Sequence, residues 1–310
     1  MKHVIGTDYT DIVKSAKNKR DLPFVLKLKN KLDIDKLQQE LAYLLNLSKN
    51  DSSFKYDKAS SEHNYNLANT KGVNFVHNYN DIYKTYAKIG FQSLTDDALT
   101  LAKTIEKPVE SFTPYERTKG MKRTNSADYH PYYDERNYTK RTEFCTPYIN
   151  EILDGFGSDE SCRSAIVTLE PGKFLSPHFD IGPEYVLRLQ IPIITNESAV
   201  MGFRKDPNTW YEYHFPADGS MYFVNSGWEH YAVNNGNENR YQLRICLTGQ
   251  ESLEGAEEFL PTSIFSHEVF CKRPESGEYH GANDNNIMAI AMTELGMSAD
   301  EYAKYAAAKL

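Results

Sequence analysis

A histidine and an aspartate stand two apart in "SPHFDIGPEYVLRLQIPI", residues 176–193. Side chains alternate along an extended chain, so His178 and Asp180 project to one side while Phe179 faces the other. One imidazole and one carboxylate on one face make two thirds of a 2-His-1-carboxylate site. That donor set holds Fe(II) and leaves coordination positions open. The third donor must come from another strand, and "SGWEHYAVNN" supplies His230 in a strand-like run beside a glycine turn. Ten residues on, "NRYQLRICL" sets Arg240, Gln242 and Arg244 on one face and Tyr241, Leu243 and Ile245 on the other. Such a polar row either points to solvent or gives a bound dicarboxylate its cationic partner. Arg188 and Gln190 pose the same choice within the opening run. Trp228 and Glu229 flank His230 and are candidate substrate contacts, although Trp228 suits core packing equally well. His214 and His267 stand at no matching spacing and are not expected as ligands.

Donors this far apart in sequence need a sheet to bring them together. From residue 163 onward, short β-rich runs such as "RSAIVTLEPG", "EYVLRLQIPII", "TWYEYHF" and "SMYFVNS" alternate with turn formers such as "DPNT", "PADG" and "NNGNEN". This rhythm indicates an antiparallel sandwich or barrel. Upstream, "PFVLKLKNKL" alternates like a strand. Asp33 then caps a helix with Ile34, Leu37, Leu41, Leu44 and Leu45 at helical spacing. A second helix is expected at "TDDALTLAKTIEK", capped by Thr95, with Ala98, Leu101, Ala102 and Ile105 on one face. A third is expected at "TPYINEILDGFG", where Thr146 caps, Pro147 takes the first turn, and Gly155 and Gly157 stop it. Residues 107–141 are polar, with three prolines and the Tyr-rich "YHPYYDERNY". They read as a long surface connection, or alternatively as a loop folded over a site. Two helices are expected near the end, at "NIMAIAMTELG" and "SADEYAKYAAAKL", the second with Ser298 and Glu301 as a capping box. The expected division is a mixed, helix-leaning region over 1–145 packing on the core, a β core over 146–250, and an extension over 251–310 with a helical hairpin.

The 310 residues, 40% hydrophobic and 25% charged, are ample for a core without disulfides. A formal charge of −8 argues against a general nucleic-acid binder. Cys145, Cys162, Cys246 and Cys271 form no C-x-x-C pair, so neither a disulfide scaffold nor a Cys-rich zinc site is expected. The N-terminal stretch lacks the apolar core of a signal peptide, and no apolar run reaches membrane-spanning length. The expectation is a soluble cytoplasmic protein acting on a small molecule, peptide or protein, without nucleic-acid or membrane partners.

Two resemblances follow from these residues. Gly172, His178, Asp180 and Glu184, then Gly219, Gly227, His230 and Asn234, track the two sequence signatures of cupins. Asp180 stands where cupins usually carry a second His, and Asn225 where they usually carry Pro. The resemblance implies a mainly β fold, a double-stranded β-helix or jelly-roll barrel, with flanking N-terminal and C-terminal helices. More specifically, "RSAIVTLEPGKFLSPHFD", "LRLQIPIIT" and "VNNGNENRYQL" within residues 163–248 resemble the aspartyl/asparaginyl β-hydroxylase-like branch of the Fe(II)/2-oxoglutarate oxygenases. That branch includes relatives acting on free or peptidyl amino acids, such as bacterial proline hydroxylases. The resemblance covers under a third of the chain.

Carried over, it implies that His178, Asp180 and His230 bind Fe(II) and that Arg240 pairs with the distal carboxylate of 2-oxoglutarate. Arg188 and Gln190 would reach the cosubstrate's other end. Arg240 is favoured over Arg244 by its offset from His230, leaving Arg244 a structural or substrate role. Some members of the branch lack the carboxylate ligand; this chain keeps it in Asp180. Val167 stands where some members carry a hydroxyl that helps hold 2-oxoglutarate. The implied activity is hydroxylation of an unactivated C–H bond of an amino acid or a peptidyl or protein side chain, with O2 consumed and succinate and CO2 formed. The rival reading is a cupin-like metal-binding protein or non-oxygenase metalloenzyme, with His178, Glu184 and His230 around a divalent metal.

Overall fold

A computed structural model describes residues 22–50, 86–104, 134–142, 144–156, 160–178, 180, 182–183, 185–249, 251–267 and 270. Among the described residues, fourteen strands carry the architecture. In chain order, β1 is Val25–Lys31, β2 Tyr86–Gly90, β3 Gln92–Ser93, β4 Lys140–Arg141, β5 Ser161–Leu169, β6 Lys173–His178 and β7 Leu187–Ile194. Then come β8 Ala199–Asp206, β9 Thr209–His214, β10 Ser220–Val224, β11 Glu229–Asn234, β12 Arg240–Leu247, β13 Glu257–Glu258 and β14 Ser263–Ser266. A seven-stranded sheet runs β13-β1-β10-β7-β12-β5-β2, and a five-stranded sheet runs β14-β9-β8-β11-β6. Every pairing in them is antiparallel. The fold is mainly β, a jelly-roll barrel.

Period-2 alternation assigns the two faces of the larger sheet. Leu187, Leu189, Ile191 and Ile193 of β7 and Leu243, Ile245 and Leu247 of β12 form one buried cluster. Helices α1 (Ile34–Asn50) and α3 (Pro147–Asp154) cover it with Leu37, Leu41, Leu44, Ile149, Ile152 and Leu153. Asp33 caps α1 as expected, its Oδ1 accepting from the Lys36 N–H at 3.1 Å. Such a cap contributes about 1 kcal/mol, while each buried leucine contributes about 1.5–3 kcal/mol, so packing decides where α1 lies. The other face of the sheet meets the five-stranded sheet. Val25, Tyr222 and Val224 from the first join Met201, Phe203, Tyr213 and Trp228 in one inner cluster.

Several expectations are corrected. Thr146 occupies the N-cap position of α3, but its hydroxyl makes no cap hydrogen bond. Helix α2 (Asp96–Lys103) buries Ala98 yet leaves Leu101 49% exposed, so its apolar face is narrower than the spacing suggests. β1 and β2 from the N-terminal region, and β13 from beyond residue 250, complete the larger sheet. The two C-terminal helices expected after residue 280 lie outside the described residues. No helix among those described is long and apolar enough to cross a membrane.

Candidate metal centre

Strand pairing carries the first two donors together. In the antiparallel β6–β11 ladder, the Cα of His178 lies opposite that of His230. Two steps along β11 (His230 to Ala232) oppose three along β6 (His178 to Leu175), so β6 holds a bulge around Pro177. β6 is the edge of its sheet, where a proline without an N–H and a bulge that re-aims the chain are both tolerated. Gly172, at φ +67°, turns the chain into β6, and its N–H donates to Asn234 O at 2.7 Å. Asn234 is fully buried, and its amide also reaches Leu169 O at 2.9 Å and Glu238 O at 2.7 Å. It thereby knots the end of β11 to β5 just before β12 starts at Arg240.

His230 is 3% exposed, and its ring stacks on Phe203 with centroids 5.8 Å apart. Its Nδ1 lies 2.9 Å from the Trp228 carbonyl oxygen. A carbonyl only accepts, so Nδ1 carries the proton and Nε2 keeps the lone pair that a metal needs. Asp180 Oδ2 lies 4.0 Å from that Nε2. The Asp180 N–H donates to Ser226 O at 2.9 Å, which ties the residues after β6 to the turn that enters β11. His178 is placed by its backbone; its side chain lies outside the described set, and among the described side chains no group of three metal-type donors occurs.

Arg188 approaches the same oxygen of Asp180. Its Nε lies 3.5 Å from Asp180 Oδ2, its Nη1 donates to Ser226 Oγ at 3.1 Å, and its Nη2 to Glu135 Oε1 at 2.9 Å. Burial works against the guanidinium charge, but the Glu135 and Asp180 carboxylates outweigh it and raise its pKa above the ordinary value. Glu135 also accepts from Arg163 Nη1 at 2.7 Å, and the Cys246 thiol points to its Oε2 at 3.7 Å. Burial opposes the Glu135 charge, yet Arg188, Arg163 and Arg244 hold its carboxyl down, to about 2.

The remaining expected residues divide by face. Gln190, Gln242 and Arg244 share the inner face with Arg188 through the register Gln242↔Pro192, Arg244↔Gln190 and Cys246↔Arg188. Gln190 is 6% exposed and its Oε1 has no hydrogen-bond partner, an orphaned acceptor on the inner wall. Arg240, 5% exposed, begins β12 on the same face and donates from Nη2 to Gln242 Oε1. Trp228 is buried in the inner cluster with its ring edge-on to Phe24, so it packs in the core and acts on His230 through its carbonyl. Glu229, next to His230 in β11, takes the opposite face by alternation and forms a buried ion pair with Arg204. Trp228 thus takes the core-packing alternative, and Glu229 lies on the face of β11 opposite His230. Glu184, the rival reading's third donor, lies outside the described residues.

Glu135, Ser226 and Arg163 went unread in the sequence. The signal for Glu135 was the "DER" charge cluster between aromatics in a segment that reads as surface. Residues 134–138 are instead tied down: Asp134 caps the turn Glu135–Asn137 and accepts from Tyr185 Oη at 2.5 Å, and Tyr138 is 1% exposed. Cys162 and Cys246, separate in the sequence, are Cα partners across β5 and β12 as free thiols.

The donor chemistry fits Fe(II): one histidine with a defined tautomer, one carboxylate beside it, and a second histidine opposite in the ladder. Comparison with known proteins agrees on kinship. No curated protein matches the sequence. A 2OG-Fe(II) oxygenase family oxidoreductase from Burkholderia pseudomallei is 16% identical with a TM-score of 0.28, covering 33% of this chain and 56% of its own. A predicted oxalate decarboxylase from Thermotoga maritima is 18% identical with a TM-score of 0.22, covering 28% and 67%. A cupin 2 conserved barrel domain protein from Salinispora arenicola is 13% identical with a TM-score of 0.20, covering 29% and 64%. Likenesses this distant say nothing about activity. The profile of the aspartyl/asparaginyl beta-hydroxylase family, however, matches residues 91–248, just over half of the chain and the whole span from α2 through β12. The chain belongs to the aspartyl/asparaginyl β-hydroxylase family.

Proposed function

We propose that this protein is an Fe(II)- and 2-oxoglutarate-dependent dioxygenase that hydroxylates an unactivated C–H bond of an amino acid or of a peptidyl or protein side chain. The observation that carries the reading is the approach of Asp180 Oδ2 to His230 Nε2, with His178 opposite His230 in the ladder and Nδ1 of His230 committed to Trp228 O. His178, Asp180 and His230 would hold the metal. Bound Fe(II) with 2-oxoglutarate supplies the activation of O2, with succinate and CO2 as co-products.

The chain's own residues do the rest. The Trp228 carbonyl fixes the His230 tautomer, and Phe203 fixes its ring plane. Arg188 steadies Asp180 at the same Oδ2 that faces His230. Arg240 offers a buried guanidinium for the far carboxylate of 2-oxoglutarate, a planar fork that Lys does not reproduce. Gln190 Oε1 and Arg244 line the wall where a ligand's donors and acceptors would be met. The apolar cluster of Val25, Phe203, Tyr213, Tyr222 and Trp228 keeps water from the same interior.

The test is succinate formation from 2-oxoglutarate in the full chain, with free amino acids and peptides supplied in turn. Fe(II)-dependent succinate that is lost in His230→Ala and His178→Ala supports the reading. Turnover surviving either change with iron still bound would refute it.

A further inference from the structure

Glu135 is a charged group that the chemistry above does not use, and the structure goes to some length to hold it. It lies within the Tyr-rich run, more than forty residues before the metal donors. Its own N–H donates to Tyr185 Oη at 3.0 Å, and Asp134 beside it binds the same hydroxyl. Arg163, the second guanidinium on Glu135, has a left-handed φ of +46°. It sits in a bulge of β5, where three steps from Cys162 to Ala165 oppose two from Cys246 to Arg244. A β-strand arginine in that conformation is strained, and its guanidinium lies 2.7 Å from Glu135 Oε1.

We infer that Glu135 is a positioning residue of the metal centre, which supplies Arg188 with a counter-ion and so keeps Asp180 available as a ligand. The inference rests on the iron site proposed above. A guanidinium as buried as that of Arg188 requires a carboxylate partner. Two stand beside it: Glu135 at 2.9 Å, in hydrogen-bond contact, and Asp180 at 3.5 Å, an ion-pair contact. The closer partner is the one that is not a metal donor. With Glu135 charged, Arg188 steadies Asp180 without capturing it. With that charge removed, Asp180 becomes the next carboxylate acting on Arg188, and a carboxylate drawn into a closed ion pair competes with binding a metal.

The experiment is an anaerobic Fe(II) titration of the full-length protein as wild type, Glu135→Gln, and Glu135→Gln combined with Arg188→Gln, with circular dichroism reporting the folded fraction. The expected result is a Kd for Fe(II) at least about tenfold weaker in Glu135→Gln, the scale on which supporting residues act on metal ligands. Much of the loss should be recovered in the double variant, where the guanidinium in contact with Asp180 is gone. A purely structural role would not produce that recovery. Wild-type affinity in folded Glu135→Gln, or weakened affinity that the double variant fails to restore, overturns the inference. Should Glu135→Gln fail to fold, Glu135→Asp carries the comparison: the shorter carboxylate should weaken Fe(II) binding, and unchanged binding overturns the inference. Wild-type protein that binds no Fe(II) defeats the proposed function itself, whereas iron-binding wild type with an indifferent Glu135 variant defeats this inference alone.

Discussion

At the scale of single residues, the site depends on two lone pairs and one fork. His230 offers Nε2 only because Nδ1 is spent on the Trp228 carbonyl, so His230→Ala should remove Fe(II) binding altogether, as measured by anaerobic titration. In the proposed function Arg240 would act later, on the cosubstrate. Losing a charge-assisted pair costs about 1.5–3 kcal/mol, and each 1.4 kcal/mol is about tenfold. Arg240→Ala should therefore raise the KM for 2-oxoglutarate roughly ten- to a hundredfold while Fe(II) still binds. An unchanged KM would move the role to Arg244. The shared inner face of Arg188, Gln190, Gln242 and Arg244 was legible because a period of two fixes which neighbours lie together, whereas the preference for Arg240 came from the resemblance, which its offset from His230 matches. The same rule, pressed one residue further, places Glu229 outside the pocket, where it pairs with Arg204. Glu135 was not legible: nothing in a linear pattern says that a polar, proline-containing stretch will bury a carboxylate against two arginines from β5 and β7.

At the scale of elements, the two faces of the larger sheet have separable jobs. The outer face, under α1 and α3, supplies stability; the inner face carries the residues of the proposed site. Leu41 is 1% exposed in the outer cluster. Leu41→Ala should cost about 2–5 kcal/mol in denaturant unfolding, while the folded fraction binds Fe(II) as the wild type does. Weakened metal affinity at constant folded fraction would show that the faces are coupled. The caps and apolar spacing of α1 were readable because its helical period matches its buried stripe. For α2 the period alone misled, since nothing in the described structure covers Leu101. The strands β1 and β2 were not assigned to the larger sheet, because strand order depends on long-range pairing that local alternation does not encode.

Across the whole molecule, one buried ionic network joins the 134–138 segment, β5, β7 and the turn before β11. Its pH dependence has a definite sign. The Glu135 carboxyl is depressed from its ordinary 4.5 to about 2 in the folded protein. Its contribution is therefore fully present above pH 4.5 and is lost as pH falls from there towards 2. At 1.36 kcal/mol per unit the loss is about 3 kcal/mol, visible as a falling unfolding midpoint across that window. Glu135→Gln should flatten the curve there; an unchanged slope would mean that other carboxylates carry the acid sensitivity.

The central claim is that this interior chelates iron together with 2-oxoglutarate. The most direct measurement is an anaerobic titration of the metal-free protein with Fe(II) and then 2-oxoglutarate, followed in the visible region. The expected result is a metal-to-ligand charge-transfer band that appears only when both are present and is absent in His230→Ala. Iron binding without that band would contradict the claim and leave a cupin-like metal protein in its place.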